Sequence, residues 1–573
     1  MRKIFEGRFY PLVLYLGYLL LMGIAVYLID HNTKAEITEA LKKWIPWNLK
    51  LNFLLILIGV GICLKEITRA FKALLNRKGI YLLVLLLLAY LSVSFAAPRT
   101  HRIFFDEDIY ANIGQNIALT GQTGMTNYGT FDYGEYTPHW VSYNKEPSGW
   151  PFLISLLFQV FGTNELYAFL LNNLLFTAGL LVVFFITRSI SEDDFTSFLS
   201  ALAFGLIPHN LIWSNTAAAE PPASFFAGLA VLSLVVYLKK RGDRHLFMTA
   251  VLLPFACQMR PESILILFLA LMSLVFLLRK EFCDRKIWAF GLLVALFLLP
   301  HLLHIYAVSG HDWGAKGAKF SFDFFWKNLS TNGLYYWNNE QFPLILTLFS
   351  CAGLLIGRRT LSRRLPIFLW FLLFWGIFLF FYAGSYRYGA DVRFALVSFM
   401  PLAVLAGIGG GVLRERILNA GPVMRGTGSG IRHLVSGIII LVMLFSFIQF
   451  LPLVRRVGQE AWGARHDHEF AKTLIGEIPR RSIILTQVPT MFLVRGQSAI
   501  QTHAGTNNPK LIKHLLEKYQ GHVYFHYNYW CNTKSERNLR LCREIREKYD
   551  LTEVVRTTEQ DHEYGLYRME IRK

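Results

Sequence analysis

Charged residues are scarce in this chain of 573 residues. They make up 17% of the sequence, whereas a soluble protein of this size carries about a quarter. Hydrophobic residues account for 54%, and apolar runs of about twenty residues recur along the chain. The short alternating strands of an outer-membrane barrel are missing. We therefore predict a polytopic α-helical membrane protein.

Cysteine is also scarce, and the six cysteines are too few for a disulfide scaffold. Cys531 and Cys542 are the one pair in a polar region, and the sequence leaves open whether they are bonded. No small-residue cleavage site follows the apolar segment at residues 10–29. We interpret that segment as a retained first span rather than a removable signal peptide.

The chain has few acids relative to bases, 39 against 58. The bases cluster in short loops between apolar runs, where they set membrane orientation, so we exclude nucleic acid as a partner. We predict that the protein lies in the inner or plasma membrane. The basic loops place its N-terminus in the cytoplasm, and an odd number of spans then places its C-terminal domain outside. About thirteen spans are predicted, near residues 10–29, 51–65, 80–97, 166–186, 195–212, 221–238, 245–257, 262–279, 287–306, 342–357, 366–383, 394–412 and 433–453.

The pattern of the chain predicts three parts. Residues 1–79 hold two extra N-terminal spans, residues 80–456 form the transmembrane core, and residues 457–573 form an α/β domain. The segment 30–50 falls outside the membrane and carries four lysines. The core includes a long outer loop, 98–165, which contains turn residues and an apolar helix too short to span.

Three consecutive acids, Asp106, Glu107 and Asp108, follow directly on an apolar run and open a helical pattern. Placing acidic side chains at a membrane boundary costs free energy, so such residues usually have a charged partner or a functional role. A simpler alternative is that Asp106 caps the helix and the other two complement its dipole. Helical spacing places Asp108 on a different face from Asp106 and predicts that Asp108 tolerates replacement by asparagine.

Further ionisable residues recur at the outer ends of predicted spans. They are Lys145, Glu220, Arg260, Arg387 and Arg393. Taken singly, each is explained as an interfacial anchor or a local ion pair. Taken together, they converge on one membrane face and suit a phosphorylated lipid headgroup held by cations, with carboxylates beside it.

Several of these motifs resemble those of GT-C glycosyltransferases, particularly the protein O-mannosyltransferase and aminoarabinose (lipid A) transferase branches. The resemblance covers most of residues 80–573. The motifs are Phe105-Asp106-Glu107-x-x-Tyr110-Ala111, Asn144-Lys145-x-Pro147 before a helix ending Phe161-Gly162, Ala219-Glu220, Arg393-Phe394 before Pro401-Leu402, and Gly565-Leu566-Tyr567. The chain departs from the family pattern at Glu146, where proline is usual, and in its two additional N-terminal spans.

The resemblance implies an inverting transfer of a sugar from a polyprenyl-phosphate donor to an acceptor hydroxyl on a protein, lipid or glycan. It maps the base onto Asp106 and a positioning role onto Glu107. Lys145, Arg260 and Arg393 would neutralise the leaving phosphate. The remaining predicted substrate-binding residues are Tyr110, Tyr143, Glu220 and Arg387. The activated donor supplies the energy, so no nucleotide-binding motif is expected, and a divalent cation is an open alternative.

Two other functions compete with this one. A transporter or lipid flippase would also place charges inside a helical bundle, with His301 and His304 near Pro300 as its best candidates. However, the charges here cluster at the outer edge, and the two halves of the chain are not similar. A non-catalytic receptor or scaffold would use the outer α/β domain as its binding module.

Overall fold

The computed structural model describes most of the chain. The described ranges are 10–74, 79–103, 105–279, 284–312, 314–338, 340–356, 361–386, 391–419, 429–460, 462–533, 535–559 and 561–572. Helices dominate up to residue 460, and a mixed sheet with further helices follows, as the sequence predicts.

The helices up to residue 460 are α1 (Tyr10–His31), α2 (Lys34–Leu74), α3 (Ile80–Leu91), α4 (Asp106–Thr120), α5 (Gly149–Phe161), α6 (Leu166–Ser191), α7 (Asp194–Gly205), α8 (Pro208–Trp213), α9 (Glu220–Lys240), α10 (Asp243–Cys257), α11 (Leu265–Leu277), α12 (Arg285–Ala307), α13 (Phe325–Tyr335), α14 (Leu344–Leu355), α15 (Leu361–Ile377), α16 (Leu396–Asn419), α17 (Ser429–Ile448) and α18 (Leu451–Glu460).

Seven of the described helices are long and apolar enough to cross a membrane, judged by length and composition. They are α1, α2, α6, α9, α12, α16 with the turn before it, and α17. Shorter apolar helices, among them α3, α5, α11 and α14, lie between them. The protein is a polytopic α-helical membrane protein, and the number of thirteen spans stays a prediction.

Helix α2 joins the lysine-bearing segment 30–50 to the predicted span 51–65. It has 41 residues, which corresponds to about 60 Å, roughly twice the thickness of the hydrocarbon core. Its N-terminal part contacts the long loop, because Lys42 Nζ donates to the Val141 carbonyl at 2.9 Å. The Lys42 carbonyl in turn accepts from the Thr123 amide at 2.8 Å. The additional N-terminal helices therefore support the outer loop.

Helix α16 lies at the centre of the bundle, packed against α7 and α14. The buried share of its most apolar stretch is 89%, against 6% for α1, which faces outward. A Cβ atom at Gly409 would lie only 1.9 Å from the Phe349 carbonyl oxygen, so glycine permits α14 and α16 to approach backbone to backbone. This packing fixes the turn that carries Arg393 at the start of α16.

The outer loop 98–165 contains a β-hairpin that the sequence did not predict. Strands β1 (Met125–Asp132) and β2 (Glu135–Ser142) are antiparallel. The turn predicted at Tyr133-Gly134 joins them, with φ values of 54° and 84°. Two successive positive φ angles are characteristic of a tight hairpin turn.

The C-terminal strands are β3 (Ile483–Thr486), β4 (Ser498–Gln501), β5 (Val523–Tyr527), β6 (Tyr549–Glu559) and β7 (His562–Ile571). The helices among them are α19 (Trp462–Glu477), α20 (Pro489–Leu493), α21 (His503–Asn507), α22 (Pro509–Lys518) and α23 (Glu536–Lys548). The sequence pattern predicts helices near residues 459–477, 510–519 and 536–549, and strands near 482–487, 522–529 and 551–571. They correspond to α19, α22, α23, β3, β5 and the closing pair, whereas β4 is not predicted. Gly565, the predicted turn of the closing pair, lies inside β7, and the chain reverses near Asp561 instead.

One sheet combines the hairpin and the C-terminal strands, in the order β2-β1-β4-β3-β5-β7-β6. Strand β3 runs parallel to β4 and β5, and the outer pairs are antiparallel. The hairpin joins through Tyr128 opposite Ile500 and Gly129 opposite Ala499. The outer loop and the C-terminal domain therefore share a sheet, although some 370 residues separate them. Cys531 and Cys542, left open by the sequence, are bonded in a disulfide.

Candidate active site

Asp106 begins helix α4, and Phe105 occupies the N-cap position without a side-chain cap. The Asp106 side chain is therefore not the cap of α4. The residue as a whole is partly exposed, but its carboxyl is largely shielded from water. This desolvation raises the pKa of the carboxyl against the opposing effect of the cations Arg393, Lys145 and Arg260. Asp106 is thus a carboxylate near three cations that come from three separate parts of the chain.

Glu107 is held in a cradle of donors. Its carboxylate accepts from the backbone amides of Arg102 at 2.7 Å, Ile103 at 3.2 Å and Ala217 at 2.8 Å. His101 Nδ1 lies 3.3 Å from Glu107 Oε2. These donors, led by His101, lower the pKa of Glu107 despite its complete burial. This geometry fits the predicted positioning role, because Glu107 ties the segment before α4 to the turn before α9.

Glu220, Arg260 and Arg393 form a buried ion network. Arg260 Nη1 lies 2.6 Å from Glu220 Oε1, and Arg393 Nε lies 3.4 Å from the same oxygen. Arg260 Nε contacts Glu262 Oε1 at 2.6 Å. Two carboxylates therefore balance Arg260, whereas the Arg393 side chain keeps 17% of its surface exposed. Arg393 is the better placed of the two to meet an anion.

Glu146 belongs to the same charged region, although the sequence marked it only as a departure from the family pattern. Burial raises its pKa to about 7, against the opposing effect of Arg260. The nearby Asp106 and Glu262 carboxylates raise the pKa of Glu146 further, and Lys145 lowers it. Tyr110 is buried among these groups, and burial raises its pKa.

Tyr143 and Arg387 complete the predicted set. The Tyr143 hydroxyl forms a hydrogen bond with His304 Nδ1, at 2.8 Å, and thereby joins the long loop to the C-terminal end of α12. His304 therefore has a structural role in holding the loop, and this contact does not support its predicted role in a transporter. Arg387 lies outside the described residues.

The start of α5 packs closely against the turn that carries Arg260. The Gly149 amide donates to the Gln258 carbonyl at 2.9 Å, and a Cβ atom at Gly149 would lie 2.4 Å from that oxygen. Only glycine allows this approach. Glu146, three residues before Gly149, is thereby held near Arg260.

Comparisons with known proteins agree with this architecture. The family of dolichyl-phosphate-mannose-protein mannosyltransferases matches residues 145–304, and no curated protein sequence matches the chain. The crystal structure of ArnT from Cupriavidus metallidurans bound to undecaprenyl phosphate is similar, with a TM-score of 0.56 and 13% identity. The similarity covers 85% of this chain and 97% of ArnT.

The chain therefore shares the fold of membrane glycosyltransferases of the GT-C type. The archaeal oligosaccharyltransferase AglB from Archaeoglobus fulgidus, in complex with an inhibitory peptide and a dolichol-phosphate, shares the fold at a TM-score of 0.50 and 13% identity. That similarity covers 85% of this chain and 74% of AglB. At these identities the structural likeness shows the fold.

The protein also holds a second polar cluster that the sequence did not reveal. Its members are His101, Asp108, Glu165 and His468. Asp108 does lie on a different face of α4 from Asp106, as helical spacing predicts. That face is buried, however, and Asp108 Oδ2 lies 3.0 Å from His468 Nε2 of α19. Because Asp108 is buried against His468, we no longer expect it to tolerate replacement by asparagine.

Proposed function

We propose that this protein transfers a sugar from a polyprenyl-phosphate donor to an acceptor hydroxyl, with inversion, on the outer face of the membrane. The observation that supports it most is the convergence of Asp106 with Lys145, Arg260 and Arg393 in a GT-C fold. Undecaprenyl phosphate and dolichol-phosphate are bound in the crystal structures of ArnT and AglB.

The chemistry follows from the donor. A sugar on a lipid phosphate has an anionic leaving group that is already stable, so the enzyme needs one base rather than the acid and base pair of glycosidases. Asp106 would remove the acceptor proton during in-line attack, and its raised pKa suits a base that holds the proton transiently. Arg393 and Lys145 would stabilise the departing phosphate. Glu107 would hold Asp106 in place.

The Arg393→Ala variant tests the phosphate site. It should bind undecaprenyl phosphate about ten- to a hundredfold more weakly, roughly 1.4–2.8 kcal/mol, because one of the cations that face the anion is lost. Native mass spectrometry of the detergent-solubilised protein measures this binding, with unphosphorylated undecaprenol as the ligand control. Arg416→Ala, the same substitution at the exposed opposite end of α16, should bind like the wild type. Equal affinities in all three proteins would refute the assignment of Arg393.

Glu146 should make donor binding depend on pH. Its pKa is raised to about 7, so the side chain is neutral below that pH and negative above it. A negative Glu146 repels the lipid phosphate, so affinity should fall as pH rises from about 6 to 8. Glu146→Gln should abolish this fall, and Glu135→Gln, in the exposed hairpin, should retain it. A Glu146→Gln variant with an unchanged pH profile would contradict the proposal.

The active site faces outward only if the C-terminal domain lies outside the cytoplasm, with the N-terminus inside. A cysteine placed at the exposed position Asn507 should therefore react with a membrane-impermeant maleimide in intact cells. Labelling that requires cell lysis would place the domain in the cytoplasm and overturn the proposed orientation.

A further inference from the structure

A buried cluster of histidines and carboxylates lies where the membrane core meets the C-terminal domain. We call it the junction cluster, and its four residues come from four places in the fold. His101 precedes α4, Asp108 lies in α4, Glu165 directly precedes α6, and His468 lies in α19. Asp106 is not part of it.

The four side chains bring one ligand atom each into close proximity. One ligand atom from each lies within 4.8 Å of all the others. The closest pairs are His468 Nε2 with Asp108 Oδ2 at 3.0 Å and His101 Nε2 with Glu165 Oε2 at 3.4 Å. The two imidazole rings stack with centroids 3.6 Å apart and planes 6° apart. His101, Asp108 and His468 are each more than nine-tenths buried.

These short distances do not amount to satisfied hydrogen bonds. Among the described residues, His101 Nε2, His468 Nε2 and Asp108 Oδ2 are buried without a hydrogen bond of good geometry, although each lies within 3.4 Å of a charged neighbour in the cluster. Leaving a buried polar atom unsatisfied costs about 1–3 kcal/mol. Several such atoms close together indicate that the cluster has a ligand.

We propose that the junction cluster binds a zinc ion through His101, Asp108, Glu165 and His468. Imidazole nitrogens favour zinc over magnesium or calcium, which prefer sites built wholly of oxygen, and zinc accepts two imidazoles with two carboxylates. Glu107 strengthens the case, because its carboxylate faces His101 Nδ1 at 3.3 Å. A carboxylate on the far nitrogen of a metal-binding histidine commonly fixes the tautomer and the orientation of the ring.

Arg495 is the group that zinc has to displace in part. Its Nη2 lies 2.5 Å from Glu165 Oε2 and donates to His468 Nδ1 at 3.2 Å. When zinc takes His468 Nε2, the ring proton moves to Nδ1, so the contact with Arg495 opens. The guanidinium can remain with Glu165 and with the Met491 carbonyl that it also contacts.

The junction cluster itself is buried, but it borders a cavity whose rim residues Asn164, Glu469 and Lys472 are exposed. A cavity of about 300 Å³ beside it is lined by His101, Glu165 and His468. A metal ion can therefore enter without opening the core. Bound there, zinc would join the membrane core to α19 of the C-terminal domain and would act as a structural clasp rather than in sugar transfer.

Zinc binding to the full-length protein in detergent tests the proposal. After treatment with EDTA and removal of the chelator, the wild type should take up about one zinc per chain, measured by inductively coupled plasma mass spectrometry. Its thermal unfolding temperature, followed by tryptophan fluorescence, should rise as zinc is added, because the ligand binds the folded state. Neither measurement depends on activity.

Variants on α19 locate the site. His468→Ala should lose both the bound zinc and the zinc-dependent rise in unfolding temperature, whereas His468→Cys should keep them because a thiolate is also a zinc ligand. The matched control is His466→Ala on the same helix, since His466 Nε2 lies 2.5 Å from Glu559 and outside the junction cluster. A wild type that binds no zinc, or a His468→Ala variant that binds it as well as the wild type, would overturn the proposal.

Discussion

The Asp106→Asn variant should lose most of its transferase activity while it keeps its donor affinity. Asparagine preserves the shape and much of the hydrogen bonding of the side chain but cannot accept the acceptor's proton. Loss of a base lowers the rate by about a hundred- to ten-thousandfold, which corresponds to roughly 3–5 kcal/mol of transition-state stabilisation. The measurement is transfer from a polyprenyl-phosphate sugar, with undecaprenyl phosphate binding measured in parallel.

Variants of the neighbouring acids, Glu107 and Asp108, serve as controls, and the quantity measured for them is the thermal unfolding temperature. Glu107→Gln and Asp108→Asn should lower the thermal unfolding temperature, because Glu107 accepts from three backbone amides and Asp108 is buried against His468. Asp106→Asn should leave that temperature nearly unchanged, since Asp106 is partly exposed and does not cap α4. An active Asp106→Asn enzyme would exclude Asp106 as the base.

The Arg260→Ala variant should be strongly destabilised. Arg260 lies between Glu220 at 2.6 Å and Glu262 at 2.6 Å, with 6% of its side chain exposed. Its removal leaves the fully buried Glu220 with the more distant Arg393 alone. Removing one partner of a buried ion pair costs about 3–5 kcal/mol, so thermal unfolding of the purified protein should begin at a clearly lower temperature.

Arg393→Ala provides the comparison for this effect. It retains the Arg260 pairs, so it should unfold close to the wild-type temperature and show its defect in lipid-phosphate binding instead. If both variants unfold like the wild type, Arg260 is not the structural centre of the network. Its contribution would then be to donor binding, as the sequence alone predicts.

The helical membrane part was predictable because its signal is local. Long apolar runs and basic loops are visible within each segment, and the turn at Tyr133-Gly134 and the start of α4 at Asp106 were also local signals. The C-terminal helices were equally accessible, since Pro509–Lys518 and Glu536–Lys548 have clear periodic patterns. The predicted span 195–212, by contrast, is interrupted before Pro208.

The parts that escaped prediction depend on contacts between distant segments. Strand β4 has only four residues, and its pairing with β1 carries no sequence signature. His101 and His468 stand 367 positions apart in the sequence, so spacing could not reveal that their rings stack. Glu262 follows Arg260 by two residues, so an ion pair between these two side chains could be predicted from the sequence. The second partner of Arg260, Glu220, lies 40 residues away and becomes apparent only in the fold.

The shared sheet has a consequence for how the protein is made. The hairpin of β1 and β2 leaves the ribosome about 370 residues before Ile500, the residue opposite Tyr128. At about 5–20 residues per second, that interval lasts roughly 20–75 s. During this interval most of the later helices are inserted into the membrane, and the edge of β1 that will pair with β4 remains unpaired. Biogenesis therefore ends with strand pairing across the assembled bundle, and a nascent chain stalled before β4 should present that edge to chaperones or proteases.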